Sequence, residues 1–450
     1  MISMIPFGLL SGFAGEREIR ITKLDETGFG FRVVRDYDGA KEWGNGRLRF
    51  KICFYDMEKS EYTEVVIKNY KCMPDTDEKS DFYQGYLVFP FSDENAGKYK
   101  SAVQKLLGQY SRYIRLKLEE DDSGLAKEMT GYPGMLDEVQ CDSLEEQVMF
   151  WEKESSGQAY GTAEKESHYE LAFSIDRPEL YKEYLQKALP DFVRDYGDGV
   201  RKILPDFSFE AEKMKRLYIG NQFCPQLFPK EKILFEMLDK AAGEEAKVTL
   251  ALSYVREEML EKTAKLLRKL DSWCLQKGQM LEVVVNDWGM VSMVKKGTMN
   301  LVPCLGILLN KRKKDPRISY KAGNKSLFKK NGLNADFYRD FLKEKFGILR
   351  YEWESCGYEI AFPEGKNSLH LPFYQTNTSS FCPLYAACKT GERGRQKLVK
   401  DCPEYCRKYV FLYPEHLHMV GRFNSLFGID REGMERIKSE FVDRVVVSLL

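Results

Sequence analysis

The chain has 450 residues, and its 69 lysines and arginines balance its 69 aspartates and glutamates, which excludes a global attraction to nucleic acid or to an anionic membrane. Its 43% hydrophobic and 31% charged residues are typical of a globular protein of two or three domains. No apolar run approaches the roughly 20 residues of a transmembrane helix, and the apolar start lacks the basic residues of a signal peptide, so we expect no membrane span and a cytoplasmic location.

The first part of the chain predicts a small β-rich module. Short runs with alternating or β-branched apolar residues are broken by Gly, Asp and Asn, which indicates strands joined by tight turns. These runs are residues 19–24, 29–34, 47–54, 62–70 and 85–91. A helix is predicted from 95 to about 114, with Val103 and Leu106 on its apolar face. Many short antiparallel strands that end in a helix predict a small β-barrel.

Residues 21–31 resemble the second signature of PilZ domains, and the likeness extends over residues 16–118. Two positions depart from that signature, because Lys23 stands where PilZ domains have an acid and Asp25 where they have a serine. The upstream arginines have a different spacing as well, and a bis-guanylate dinucleotide needs arginines for its phosphates and bases. We therefore expect a PilZ-like interaction module that does not bind a cyclic dinucleotide.

The stretch that follows is acidic and rich in Gly and Ser, a composition typical of a linker. From residue 168 onward, strand-like and helix-like segments alternate. Strands are predicted at 169–174, 216–220, 248–255, 281–286, 301–309 and 348–354. This pattern predicts a parallel sheet with crossover helices, curled into a full or partial βα barrel, with its chemistry at the carboxyl ends of the strands. The predicted organisation is a first domain at 1–122, a linker at 123–167 and a barrel domain at 168–450.

Four cysteines are concentrated late in the chain, where Cys382, Cys388, Cys402 and Cys406 are separated by five, thirteen and three residues. In a chain without secretory features, this density indicates thiolates that hold a metal rather than a disulfide framework. Zinc and an iron–sulfur cluster both accept four thiolates, so the spacing of the cysteines does not distinguish between them. A site built from histidines is not expected, because the chain has only four.

Five short motifs precede or follow these cysteines in a fixed order. They are Leu217-Tyr218-Ile219-Gly220 ahead of Cys224, Asn286-Asp287-Trp288-Gly289, Asp315-Pro316-Arg317, the segment from Gly347 to Glu352, and the segment from Val420 to Asn424. Together with the cysteines, they resemble the collagenase-like peptidase family (unclassified peptidase family 32), closest to its iron–sulfur branch in ubiquinone and RNA hydroxylation. The resemblance covers roughly residues 168–450.

The resemblance implies a partly closed βα barrel with one [4Fe–4S] cluster. One ligand would follow the second strand and three would come from the late loop, which gives Cys224, Cys382, Cys402 and Cys406. Cys388 is a fifth candidate, and the set formed by the four late cysteines stays the alternative. The family also implies oxygen-independent hydroxylation of an aromatic or nucleobase ring, in a small molecule or in RNA, with prephenate as oxygen donor and a homologous second subunit as partner.

Three polar residues are candidates for catalysis or substrate binding. Asp287 at a strand end is either a general base or the cap of the next helix. Arg317 is either a bidentate anchor for a substrate carboxylate or an ion-pair partner of a nearby acid. Glu352 shares one strand face with Arg350 and Glu354, and if that face points into the barrel these charges must be paired or functional.

Two classes of function follow from these residues. In the first, the second half is an iron–sulfur hydroxylase. In the second, the metal cluster is structural and the chain is a regulatory or scaffold protein that contacts a partner through its β-barrel. The peptidase activity in the family's name has no support, because no Ser or Cys lies beside a credible histidine base and there is no H-E-x-x-H helix.

Overall fold

The computed structural model describes residues 9–34, 48–56, 61–77, 80, 82–91, 94–118, 139–141, 169–204, 214–312, 314, 328–391, 395–412, 419–430, 433, 437 and 439–450. The chain divides into two compact units. The N-terminal unit comprises residues 1–136 and 317–329, and the barrel unit comprises residues 137–316 and 330–450. None of the helices in the described ranges is both long and apolar enough to cross a membrane.

The N-terminal unit contains a curled antiparallel sheet of seven strands and one long helix. The strands are β1 Leu10–Ala14, β2 Arg17–Asp25, β3 Gly28–Val34, β4 Phe50–Asp56, β5 Glu61–Ile67, β6 Tyr70–Pro74 and β7 Tyr83–Pro90, followed by α1 Glu94–Leu118. Their order in the sheet is β5-β4-β1-β2-β3-β7-β6. The prediction that an antiparallel β module is followed by a helix is confirmed.

Aromatic side chains from alternating strand positions fill the core of the N-terminal unit. The rings of Phe29 and Phe31 each lie 5.4 Å from the ring of Phe50. Tyr99 attaches α1 to this core, since its hydroxyl lies 2.7 Å from the carbonyl oxygen of Gly28 and 2.9 Å from that of Asp25. The helix is thus fixed to the β2–β3 turn by a buried phenol.

The barrel unit is built on a closed ring of eight parallel strands. They are β9 Glu170–Ile175, β10 Met214–Ile219, β11 Lys247–Ala251, β12 Leu281–Val285, β13 Leu301–Leu305, β14 Arg350–Glu354, β15 Lys366–Leu371 and, last in the chain, β20 Val442–Val447. The ring order is β10-β11-β12-β13-β14-β15-β20-β9. The helices between them are α2 Pro178–Gln186, α3 Leu189–Ile203, α4 Glu231–Gly243, α5 Leu260–Lys277, α6 Trp288–Gly297 and α7 Asp336–Phe341.

The predicted βα barrel is confirmed, and it is full rather than partial. Strands such as Leu281–Val285 are almost entirely apolar because they are covered on both faces. The helices cover the outer face, as where Tyr196 of α3 stacks on Phe173 of β9 with ring centroids 4.4 Å apart. The sequence did not predict β15 and β20 as strands of this ring.

A second sheet in the barrel unit is inserted between β15 and β20. It contains β16 Phe373–Thr378, β17 Tyr409–Leu412, β18 Met419–Arg422 and β19 Ser425–Ile429, together with β8 Val139–Cys141. The order is β16-β19-β18-β17-β8, all antiparallel. The short helix α8 Pro383–Thr390 lies between β16 and β17. Of the segment expected to be a linker, the structure describes only β8, which belongs to this sheet.

An ionic layer occupies the interior of the barrel near the amino ends of the strands. Arg444 donates to Glu170 at 2.8 Å and to Glu282 at 2.6 Å, and Arg216 contacts the same two acids at 2.9 and 3.2 Å. Arg350 forms a two-point contact with Asp443 at 2.7 and 2.9 Å. Three arginines and three acids therefore neutralise one another, as buried charges require.

We expect the Glu282→Gln substitution to destabilise the barrel in a pH-dependent way. Burial by itself raises the pKa of Glu282, but the hydrogen bond and charge of Arg444, with Arg216 and Arg350, lower that pKa from 4.5 to about 2. A lowered carboxyl pKa contributes stability that is fully present above the unfolded value and is lost as pH falls toward the folded value. The loss at pH 7 should be roughly 3 kcal/mol, from about 1.4 kcal/mol per pKa unit.

Urea unfolding of the wild type and of Glu282→Gln at pH 7, 4 and 3 tests this. The difference in unfolding free energy should be largest at pH 7 and shrink below about pH 4.5. Glu261→Gln is the matched control, because Glu261 is 82% exposed in a surface pair with Lys265 and should contribute less than about 1 kcal/mol. A difference that stays constant over this pH range would contradict the assignment.

Candidate functional site

The loop after β10 is shaped to bring Cys224 over the carboxyl end of the barrel. Gly220 has a φ of +112°, and a Cβ at this position would lie 2.4 Å from the carbonyl oxygen of Ala251, so only glycine fits. The buried side chain of Asn221 then accepts hydrogen bonds from the backbone N–H groups of Phe223 at 2.9 Å and Cys224 at 2.8 Å. These bonds fold the loop so that Cys224 is only 7% exposed.

The late cysteines lie on the insertion between β15 and β20. Cys382 precedes α8, and its Sγ accepts a hydrogen bond from the N–H of Tyr385 at 3.3 Å. The Sγ of Cys402 accepts from the N–H of Glu404 at 3.4 Å. Backbone N–H groups near the sulfur of Cys224 likewise lower its pKa, although burial outweighs them. Donors directed at sulfur favour the thiolate over the thiol, which is the form that binds a metal.

Four cysteine side chains line one pocket, whose cavity volume is about 30 Å³. The lining consists of Cys224, Pro225, Gln226, Leu227, Tyr254, Arg256, Ser380, Cys382, Leu384, Tyr385, Val399, Cys402, Tyr405, Cys406, Phe423 and Asn424. Cys388 is not part of this lining, although it packs against the same apolar cluster. The pocket therefore brings together the four cysteines that the resemblance implies, and Cys224 is one of them.

Burial makes these thiols hard to ionise without a cation. It raises the pKa of Cys224 to about 12 and that of Cys382 to about 11, and neighbouring cysteines add to both shifts. The pKa of Cys406 is raised in the same way. A coordinated metal ion deprotonates a thiol outright, since its charge outweighs such shifts. The group is thus suited to bind a metal and poorly suited to act as free nucleophiles.

Four soft thiols in one pocket fit a sulfur-ligated metal group, although hydroxyl, amide and guanidinium groups also line that pocket. Within the described ranges, however, no three Cys, His, Asp or Glu side chains lie close enough together to hold a single metal ion. Around zinc, bonds of about 2.3 Å would draw four sulfurs to roughly 3.8 Å from one another. The four sulfurs line one pocket but are not gathered closely enough for a single metal ion.

Asn424 connects three loops around the pocket. Its amide nitrogen lies 2.8 Å from the carbonyl oxygens of both Phe223 and Ser379, and 3.2 Å from the hydroxyl of Tyr254. These contacts hold the Cys224 loop against the segment that leads to Cys382. Sequence reasoning did not select Asn424 as a site residue, although it lies in the motif from Val420 to Asn424 and could have been found there.

Arg422, at the end of β18, is a buried cation beside the cysteines. It is 7% exposed, and its Nε donates to the carbonyl oxygen of Cys406 at 3.3 Å. Its Nη1 is buried and has no hydrogen-bond partner within the described residues. Burial, and secondarily the nearby charge of Arg177, lowers the pKa of Arg422 to about 10. Sequence reasoning also missed this residue.

The predicted strand face with Arg350, Glu352 and Glu354 points into the barrel, and each of its charges is paired. Glu352 is fully buried, with Oε2 2.6 Å from Nε2 of His370. The hydroxyl of Tyr218 lies 3.2 Å from Oε1 of Glu352. Glu354 forms a buried ion pair with Lys314 at the carboxyl end of the barrel. His370, which the sequence indicated as structural, is thus the direct partner of Glu352.

Of the two other predicted site residues, the structure describes Asp287 but not Arg317. Asp287 is the N-cap of α6: Oδ1 accepts from the N–H of Met290 at 2.7 Å, and Oδ2 accepts from the N–H of Val255 at 2.9 Å. Both carboxylate oxygens are thus engaged by the backbone, which is the cap interpretation of this residue. Arg317 lies outside the described residues, so its role as a carboxylate anchor stays a prediction.

Comparisons with protein-family models, with curated proteins and with solved structures each found no match to this chain. The resemblance to the collagenase-like peptidase family, and that of the N-terminal unit to PilZ domains, therefore stay predictions from sequence motifs.

We expect the Asp287→Ala substitution to lower the free energy of unfolding by about 1–2 kcal/mol, because it removes the cap of α6 and leaves the N–H of Val255 without its acceptor. Asp287→Asn should cost less, because its amide oxygen can still accept from Met290. Urea unfolding of both variants gives the two values. Unchanged stability of Asp287→Ala would show that the cap contributes nothing and would reopen the general-base interpretation.

Proposed function

We propose that the barrel unit is an iron–sulfur enzyme similar to the oxygen-independent hydroxylases of the collagenase-like peptidase family. The observation that supports this most is the common pocket of Cys224, Cys382, Cys402 and Cys406, from which Cys388 is excluded. These four residues would hold a [4Fe–4S] cluster. When bound, such a cluster supplies redox-active iron that can activate or hold a substrate.

The rim of the pocket suits a carboxylate that carries an unsaturated ring. Arg256 is the only charged residue in the lining, and it forms no ion pair within the described residues. Its guanidinium lies 5.1 Å from the ring of Phe381. Tyr254, Tyr385 and Tyr405 provide aromatic surface beside it. A planar guanidinium binds a carboxylate at two points, so prephenate, the oxygen donor that the resemblance implies, is a suitable ligand. A nucleobase substrate in RNA stays open.

Glu352 and His370 form the acid–base pair of the proposed enzyme. A short contact of 2.6 Å between a carboxylate and an imidazole allows one proton to be held between them. Tyr218 connects this pair to Arg444 through a contact of 3.0 Å, and it precedes Cys224 on the same strand and loop. The proposed role of the pair is to take up or release a proton when a ligand occupies the carboxyl end of the barrel. Asp287 is not part of this proposal, since its oxygens bind backbone N–H groups.

The N-terminal unit is proposed to be a PilZ-like interaction module that does not bind a cyclic dinucleotide. Lys23 illustrates the reason, because it is engaged in an ion pair with the buried Asp75 at 2.7 Å. A homologous second subunit is the proposed partner of the barrel unit, and a reducing cytoplasm is the proposed location, as suits free thiols and an iron–sulfur cluster. The alternative function is a scaffold whose metal cluster is purely structural.

Anaerobic purification followed by iron and sulfide analysis tests the metal assignment. We expect brown protein with both elements, and loss of both in Cys224→Ser and Cys402→Ser, because a hydroxyl is a hard and poor ligand for iron–sulfide units. Cys388→Ser is the matched control and should retain the cluster, since Cys388 does not line the pocket. Dispensable Cys224 with essential Cys388 would move the site to the alternative set. Zinc without sulfide would end the cluster proposal.

Ligand binding tests the enzyme assignment. Arg256→Met should weaken the binding of prephenate to the cluster-loaded protein by tenfold or more, because a charged hydrogen bond contributes about 1.5–3 kcal/mol. Isothermal titration gives the Kd, and iron content confirms that the cluster is intact. Arg268→Met, on the exposed face of α5, is the control and should bind as the wild type does. A wild type that holds its cluster but does not bind prephenate would favour the scaffold.

A further inference from the structure

Arg422 lies where a cation is costly. Its side chain is almost completely buried, and one of its nitrogens, Nη1, has no hydrogen-bond partner within the described residues. Its Nε contacts the carbonyl oxygen of Cys406, so the guanidinium is adjacent to one of the four pocket cysteines. An isolated buried charge is strongly unfavourable unless an opposite charge and hydrogen bonds compensate it.

The acids around Arg422 are already paired with other arginines. Asp176 forms an ion pair with Arg177 at 2.9 Å. Glu179 is bound by Arg407, which also lies 3.6 Å from Glu404. Protonated thiols carry no charge, so the cysteines as thiols offer Arg422 no compensation either. Within the described residues, Arg422 therefore has no ion pair of its own, and the charges of Asp176 and Glu179 act on it only from a distance.

A metal cluster would change this balance. Four thiolates and an iron–sulfur core form a group with net negative charge, and hydrogen bonds and charges around its sulfurs set its reduction potential. We propose that Arg422 is the counter-charge of the cysteine centre, a positioning residue that stabilises the bound anionic cluster and raises its reduction potential. This inference rests on the proposed [4Fe–4S] group, and it assigns to Arg422 a role that is independent of any substrate.

The proposal predicts opposite effects in the two states of the protein. In the metal-free protein, Arg422→Met removes a buried charge that forms no ion pair within the described residues, so its stability should be unchanged or higher. In the cluster-loaded protein, the same substitution removes the counter-charge, so cluster loss should be faster and the reduction potential lower. A positive charge in a medium of low dielectric constant favours the reduced cluster, which carries one more electron. A merely structural arginine would lower stability in both states.

Two further variants make the experiment specific. Arg422→Lys keeps the charge without the planar guanidinium, so it should retain a potential between those of the wild type and Arg422→Met. It also provides a second measurement if Arg422→Met does not fold. Arg407→Met is the matched control, because Arg407 is 53% exposed in the same charged group and its field is screened by solvent.

The experiment is a redox titration of the anaerobically prepared full chain, followed by electron paramagnetic resonance, with urea unfolding of the metal-free protein alongside. Arg422→Met should shift the reduction equilibrium by at least about tenfold toward the oxidised cluster, which is about 59 mV for a one-electron couple. Arg407→Met should shift it by much less. A cluster-replete Arg422→Met with wild-type potential and retention would overturn the inference alone. A wild type without iron and sulfide would overturn it together with the proposed function.

Discussion

The pairing of β20 with β9, in which Arg444, Val445, Val446 and Val447 lie beside residues 170–173, closes a parallel sheet into a ring. Closure removes the free sheet edges and directs the carboxyl ends of all eight strands to one face. It also directs every second side chain of each strand into the barrel interior. An unpaired charge there is energetically unfavourable. The ionic layer, the glutamate–histidine pair and the position of the cysteine loop all depend on this one constraint.

The polar interior changes character along the axis of the barrel. Near the amino ends of the strands, arginines and acids neutralise one another and fix the geometry. In the middle, Glu352 contacts His370 at 2.6 Å, and His370 lies beside Val446 of β20 in the sheet. At the carboxyl ends, Lys314 and Glu354 form the last buried pair before the loops. Ion pairs thus lie at both ends of the barrel interior, with the glutamate–histidine pair between them.

The four pocket cysteines come from two separate parts of the barrel unit. Cys224 comes from the loop after β10, whereas the other three thiols come from a sheet inserted between β15 and β20. Asn424 fastens the two segments together through backbone carbonyls rather than through the thiols. The loop is therefore held in place by contacts that involve none of the thiols, which would reduce the conformational entropy cost of the proposed metal binding. Arg422, on the same sheet, adds a buried positive charge to this preformed site.

Local patterns determined the repeating part of this protein. Alternation of apolar strands and amphipathic helices predicted a βα barrel, and the spacing of thiols in a chain poor in histidine predicted a sulfur site. Tertiary structure decided the rest. Only the tertiary structure shows that Glu352 faces His370, that Asp287 caps a helix, and that Cys224 lines a pocket with Cys382, Cys402 and Cys406. Periodicity and spacing are properties of a short stretch of chain, whereas these contacts join residues that are far apart in sequence and meet because parallel strands bring their ends to one face.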